Sequence, residues 1–374
     1  MIYLDNAATS AKKPWCVFAR LFKESIMTSV NAGRGAHRKS LRAMRGINNA
    51  AESIAKLFNI DDPSCISFLP NASYALNLGM LGVLKENDHV IVTSMDHNSV
   101  LRPAAKWGNF TIVDADEQGF VSAEDIEKAI KPETALIICT HVSNVCGAIQ
   151  PVKKISEIAK RYGIHFMLDA AQSAGCMEIN AKEIGADLIA FSGHKGLLGP
   201  LGTGGLYVEP GTELNPIICG GTGSLSESLI HPAFMPDMLH IGTMNTPAIM
   251  ALGTAVNCIC PPNETHMRQK QLAERFIDDL MCIDDIEVYG PTSNNRNGTV
   301  SFNIRGFDPA EVEEYLDREK GIIVRSGYHC SPLAHKTIGS GDMGTVRISF
   351  GYYNTDYDRL AAIDAINDFI NYNK

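Results

Sequence analysis

His-Phe-Met-Leu-Asp-Ala-Ala-Gln at 165–172 and Leu-Ile-Ala-Phe-Ser-Gly-His-Lys at 188–195 are two short apolar runs, each closing on polar residues. Neither run alternates polar with apolar, which is the pattern of a strand buried on both faces. Working outward, 65–69, 89–93, 110–113, 135–140 and 204–208 repeat the same β-rich character. Between them, 72–84, 99–106, 122–129 and 152–162 carry helical spacing. Strand and helix in alternation predict an α/β fold: a mostly parallel sheet covered by helices.

The pattern changes after about residue 246. Helical stretches at 246–258 and 264–281 lead to shorter segments at 298–304, 309–320, 322–325 and 345–350, which predict a smaller α+β domain. Residues 356–372 place Leu360, Ile363, Ile366, Phe369 and Ile370 at helical spacing and read as a packing helix. Residues 12–260 are expected to form the large domain, and 1–11 with 261–374 the small one.

Composition narrows the function. With 374 residues, 45% hydrophobic, the chain can bury a sizeable core. Its formal net charge of -9 offers no electrostatic footprint for a polyanion, so nucleic acid is not expected as a partner. The N-terminus lacks a signal peptide's charged start and apolar stretch, and no segment has the apolar length to cross a bilayer, so a cytoplasmic protein without membrane contact is expected. Ten cysteines without a CxxC pair or zinc-like His spacing read as mostly buried free thiols, and no metal site is expected.

In open parallel sheets, ligands sit beyond the carboxyl ends of the strands. Three polar clusters fall there: His141-Val142-Ser143-Asn144, Asp169-Ala170-Ala171-Gln172, and Ser192-Gly193-His194-Lys195. An Asp after one strand and a Lys after the next suit a pyridine-ring cofactor. The carboxylate pairs with the protonated ring nitrogen, and the amine forms a Schiff base. Taken singly, Asp169 could cap its turn and Lys195 could be a surface lysine; their joint occurrence with Gln172, Ser192 and His194 favours the cofactor. Asn71-Ala72-Ser73, between a strand and an apolar helix, could seat a phosphate on free backbone N–H groups, or Asn71 could be an ordinary N-cap.

Further segments complete a resemblance that covers essentially the whole chain. They are Tyr3-Leu4-Asp5-Asn6-Ala7-Ala8-Thr9, Asp96-His97-Asn98, Thr140 to Asn144, Gly242-Thr243-Met244-Asn245-Thr246 and Arg325-Ser326-Gly327-Tyr328-His329-Cys330. With the clusters above, the chain resembles class V aminotransferase-fold proteins, specifically cysteine desulfurases and selenocysteine lyases. The resemblance implies fold type I of the pyridoxal 5'-phosphate enzymes. It assigns His97 to stacking on the ring, Asp169 to its nitrogen, Asn144 and Gln172 to the ring-oxygen side, and Ala72, Ser73, Ser192 and His194 to the phosphate. Lys195, Cys330 and His97 would be the catalytic residues. Thr243 would reach the phosphate of a neighbouring subunit, implying a homodimer.

The same resemblance makes Cys330 the sulfur-accepting nucleophile and Arg347 the anchor of the substrate carboxylate, with Asn144, Arg325 and Arg34 lining the substrate site. A positive His329 and Arg325 near Cys330 are expected to favour its thiolate. The expected activity is conversion of L-cysteine to L-alanine with the sulfur held on Cys330 as a persulfide and passed to an acceptor protein. Selenocysteine lyase, or an aminotransferase, lyase or epimerase acting on another amino acid, is the alternative. The chain departs from many relatives in reading Asn71-Ala72-Ser73 for Gly-Thr-Thr and Gly242-Thr243-Met244 for Gly-Thr-Pro; both changes keep one hydroxyl.

Overall fold

The structure, a computed structural model, describes all residues except 33, 34, 36, 260, 293 and 374. The chain opens with β1 (Ile2–Tyr3), α1 (Trp15–Met27) and α2 (Arg38–Phe58). Strand and helix then alternate: β2 (Ile66–Leu69), α3 (Ala72–Val83), β3 (His89–Thr93), α4 (Asn98–Trp107), β4 (Phe110–Val113), α5 (Ala123–Lys128), β5 (Thr134–Thr140), α6 (Val152–Tyr162), β6 (His165–Asp169), α7 (Ala181–Ile184), β7 (Leu188–Ser192) and β8 (Gly204–Val208). The last third holds α8 (Thr246–Cys258), α9 (Pro262–Met281), β9 (Ile286–Tyr289), β10 (Thr299–Ile304), α10 (Pro309–Arg318), β11 (Ile322–Ile323), β12 (Arg325–Gly327), α11 (Pro332–Thr337), β13 (Thr345–Ser349) and α12 (Asp356–Asn373).

Seven strands form one sheet in the order β2-β8-β7-β6-β5-β3-β4. The β3/β4, β3/β5, β5/β6 and β6/β7 pairs are parallel, whereas β8 runs against both β2 and β7. The expected mostly parallel sheet is therefore present. Its two faces bury alternate residues of the same strand. Phe166 and Leu168 join the cluster under α2 and α6, while Met167 joins the one under α3 and α4. Continuous apolar runs are the physical consequence of covering both faces.

The chain builds β3 and then β4 on one side, returns to lay β5 on the other side of β3, and continues outward through β6 and β7. The strand order thus reverses between β3 and β5, where the loops diverge and leave a crevice beyond the strand ends. Register sets Thr140 opposite Asp169 and Asp169 opposite Ala190, so the polar ends of the central strands share one edge.

A second, antiparallel sheet runs β12-β13-β10-β9, packed on α9, α10 and α12 through Phe276, Phe302, Ile348 and Phe369. The N-terminus belongs to this body: β1 pairs with β11, and Leu4 lies fully buried in the same cluster. In α12, Ile366, Phe369 and Ile370 pack inward, but Leu360 is 48% exposed, since Arg359 and Ala362 take the inward positions beside it. The sequence reading assigns nothing to α1 and α2. The buried face of α2 mixes small residues such as Ala43, Gly46, Ala50 and Ala51 with Ile47, Ile54 and Phe58, and α1 buries Val17 and Glu24. No helix among the described residues is long and apolar enough to cross a membrane.

Candidate functional site

The C-terminal ends of β3, β5, β6 and β7 open onto a cavity of about 260 Å³. It brings together Ala72, Ser73, His97, Asn144, Asp169, Gln172, Ser192, His194 and Lys195, joined by Asn71, Ser99 and Thr140. A larger cavity of about 530 Å³, lined by Met44, Ile47, Phe68 and His240 among others, holds none of the predicted site residues among those described.

One end of the cavity is the start of α3. Asn71 caps the helix, its Oδ1 accepting from Tyr74 N at 3.1 Å, and Ala72 N points to Ser192 Oγ at 3.4 Å. The N-cap reading of this segment holds, and the capped helix start is also a wall of the cavity. Gly204 permits the closeness, because a Cβ there would sit 2.6 Å from Phe191 O and 2.8 Å from the Asn71 Cα. Ser73 Oγ meets Ser99 Oγ at 2.6 Å, and Ser99 Oγ meets His97 Nδ1 at 2.9 Å, tying this end to the His97 ring.

At the other end lie the titratable groups. Asp169 is 4% exposed, and its Oδ1 accepts from Ala171 N at 2.9 Å. Burial pushes its carboxyl up, against the opposing pull of the Ala171 N–H and the Lys195 charge. Burial also pushes the Lys195 amine down to about 8; Asp169 acts against that, while Arg347 and Arg325 reinforce it. His97 and His194 are both held near 4, by burial first and then by the Lys195 charge, so each presents a neutral ring at pH 7. His97 Nδ1 also accepts from Ser99 N at 3.0 Å as the N-cap of α4, which fixes the ring.

The predicted substrate residues meet this cavity through Asn144. Arg347 is 2% exposed; its Nη1 donates to Asn144 O at 3.0 Å and its Nη2 pairs with Asp5 Oδ1 at 2.5 Å. A guanidinium has five N–H groups, so this Arg fork is only partly engaged. Its Nε is buried without a partner among the described residues. Arg325 stands directly opposite Arg347 in the β12/β13 register.

The expectation that most cysteines are buried is corrected: among the described residues Cys65, Cys139 and Cys146 are buried, whereas Cys219, Cys258, Cys282 and Cys330 are exposed on loops and helix ends. Cys330 sits on a turn fastened at several points. Its carbonyl accepts from Asn98 N, the first residue of α4, at 2.9 Å. Asn144 Nδ2 donates to His329 O at 2.8 Å, and Ser331 Oγ donates to Asn144 Oδ1 at 2.9 Å. His329 and Cys330 both have left-handed backbone, with φ of 50° and 60°, an unusual state for non-glycine residues that the surrounding bonds sustain. The expectation of a positive His329 is corrected. The ring is 4% exposed, Nε2 lies 3.0 Å from Thr345 Oγ1, and burial together with Arg347 holds it neutral.

Thr243 is exposed, outside the cavity of its own chain, and Arg34 lies outside the described residues. Two groups escape sequence reading. Asp96, fully buried, accepts from Thr93 N at 2.7 Å and Thr140 N at 2.8 Å and so ties the ends of β3 and β5 together; burial pushes its carboxyl up to about 7. Residues 9–13 grip the lysine loop: Ser10 Oγ donates to Lys195 O at 2.8 Å, Thr9 Oγ1 to His194 O at 3.2 Å, and Lys13 Nζ to His194 O at 3.3 Å. The Thr9-Ser10 pair after the Asp5-Asn6-Ala7-Ala8 run is the signal that could have pointed to this grip. Among the described residues, no group of three or more His, Cys, Asp or Glu side chains could hold a metal ion.

The family model described as aminotransferase class-V matches residues 2–359. A probable cysteine desulfurase of Methanothermobacter thermautotrophicus is 38% identical, over 95% of this chain and 91% of its own length. One of Pyrococcus abyssi is 34% identical, over 95% and 90%. A solved cysteine desulfurase of Thermococcus onnurineus superposes with a TM-score of 0.91 at 32% identity, covering 99% of this chain and 94% of that one. The chain therefore belongs to the class-V aminotransferase family.

Proposed function

We propose that the protein is a pyridoxal-phosphate-dependent cysteine desulfurase that converts L-cysteine to L-alanine and takes the sulfur onto Cys330 as a persulfide. One observation carries this reading. The Cys330 thiol is exposed on a turn whose backbone is fastened to Asn144, which lines the cavity holding Lys195 and Asp169, and to Asn98, the neighbour of the cavity-lining His97. A transaminase has no use for a thiol at that place.

The residues fit the cofactor. Asp169 is a buried carboxylate that no cationic side chain reaches at ion-pair distance among the described residues, and a buried charge calls for a partner. A protonated pyridine nitrogen is such a partner. The start of α3, with Ser73, Ser192 and His194, would hold the phosphate, and the neutral His97 ring would lie on the pyridine face. Gln172 and Asn144 would serve the ring oxygen, with Lys195 as the covalent anchor. When bound, pyridoxal phosphate supplies an electron-withdrawing ring that stabilises negative charge at the substrate Cα.

The chain's own groups supply the rest. Arg347, and beside it Arg325 and Asn144, would bind the substrate carboxylate through the N–H groups left on the fork. Lys195, held near 8, is partly neutral at pH 7 and can take the Cα proton. The Cys330 thiolate attacks the substrate sulfur; the carbon–sulfur bond breaks, Cys330 keeps the sulfur as a persulfide, and alanine leaves with the proton returned to carbon.

Thr243, exposed and outside its own cavity, would complete the phosphate site of a partner subunit in a homodimer. Arg34 would line the substrate site. Residues 12–260 would form the cofactor-binding domain, with 1–11 and 261–374 carrying the cysteine loop. A cytoplasmic acceptor protein would take the sulfur. The reading is tested with purified Cys330→Ala. Alanine release from cysteine should disappear while cofactor binding persists; full alanine production would overturn it. Selenocysteine assayed beside cysteine distinguishes a lyase of the heavier chalcogen.

A further inference from the structure

α1 is anchored unequally at its two ends. Near its C-terminus the buried Glu24 pairs with Arg42 at 2.8 Å and Arg20 at 3.5 Å. Its first turn follows Pro14 and has no side-chain cap, so the N-terminal N–H groups depend on packing and water. That turn leans on α8: Val17 is buried against Ala251 and Ala255, with Cys16 at the edge of the contact. There Cys16 Sγ meets Cys258 Sγ, at the last residue of α8, at 2.8 Å. Cys16 is half-buried and Cys258 exposed, so an oxidant can reach the pair.

We propose that Cys16 and Cys258 are a modification site, closing to a reversible disulfide that staples the first turn of α1 to the end of α8. A bonded pair stands at about 2.05 Å, a short movement from the contact already made. With a peroxide as oxidant, one thiol takes an oxygen atom to become a sulfenic acid and one water leaves. The second thiol's sulfur then displaces hydroxide from that sulfur, forming the S–S bond and a second water. Two sulfurs lose two electrons and the peroxide gains them; a dithiol reverses the step. Three residues before Cys16, Lys13 begins the grip on the Lys195 loop, so the staple also secures the segment that orders that loop.

The test treats the whole protein with limiting hydrogen peroxide, blocks remaining thiols with an alkylating reagent and maps the peptides by mass spectrometry. A peptide linking Cys16 to the segment of Cys258 should appear, vanish with dithiothreitol, persist in Cys260→Ser and be absent in Cys258→Ser. The oxidised protein should melt several degrees above the reduced one, with no such difference in Cys258→Ser. Oxidation of other exposed thiols without this link, or a link retained in Cys258→Ser, overturns the site; a link without a rise in melting temperature overturns the staple.

Discussion

Attachment of pyridoxal phosphate to the cofactor-free protein should speed up with pH as far as about 8 and no further. Lys195 is the group expected to react, and only its neutral amine can do so. Burial and the charges of Arg347 and Arg325 hold that amine near 8. At pH 7 about 9% is then neutral, against about 0.03% for an ordinary lysine near 10.5, a gain of roughly 300-fold. Below pH 8 the rate should fall about tenfold per unit. Asp169 acts in the opposite sense, favouring the charged amine, so Asp169→Asn should move the profile to lower pH. The measurement is the rate of cofactor incorporation across pH 6 to 10, read by absorbance and confirmed by borohydride fixation on the Lys195 peptide. A rate that keeps climbing to pH 10, or a profile that Asp169→Asn moves upward, would refute the reasoning.

Three substitutions probe the supporting groups. Asn144→Ala strips His329 O and Ser331 Oγ of their partner, a loss of about 1–3 kcal/mol. In single-turnover assays, persulfide formation should slow by about tenfold or more, and Cα-proton exchange should slow less. Arg347→Lys loses the planar fork that engages Asp5 and Asn144. The KM for cysteine should rise about tenfold or more, with a smaller change in kcat. Asp96→Asn sets an NH₂ group against one of the two N–H donors that the carboxylate accepts, and should destabilise the fold by about 1–3 kcal/mol in denaturant unfolding. The native Asp96 carboxyl, near 7, binds its proton more tightly than in the unfolded chain, near 3.8. Its contribution is therefore present below pH 4 and lost as pH rises through about 7, a slope that the variant should lack.

The central strands and their polar ends were legible because a sheet covered on both faces writes itself as unbroken apolar runs. β6 and β7 take up the apolar parts of the runs at 165–172 and 188–195, and the clusters at Asn144, Asp169 and Lys195 do share one cavity. What local pattern cannot carry is contact across the chain. The grip of Thr9, Ser10 and Lys13 on residues near 195 and the Asp96 bridge between β3 and β5 exist only once the strands are in register. The charge of His329 failed for the same reason. Its sequence neighbours suggest a cation, whereas its burial, set by β13 and Arg347, keeps it neutral.

The central claim is that Cys330 receives the sulfur. Incubating the holoprotein with one equivalent of L-cysteine, quenching with an alkylating reagent and weighing the Cys330 peptide tests it directly. The account predicts that this peptide gains the mass of one sulfur atom as alanine appears in equal amount. Alanine released with the Cys330 peptide unchanged, or with the extra sulfur on another cysteine, would contradict it.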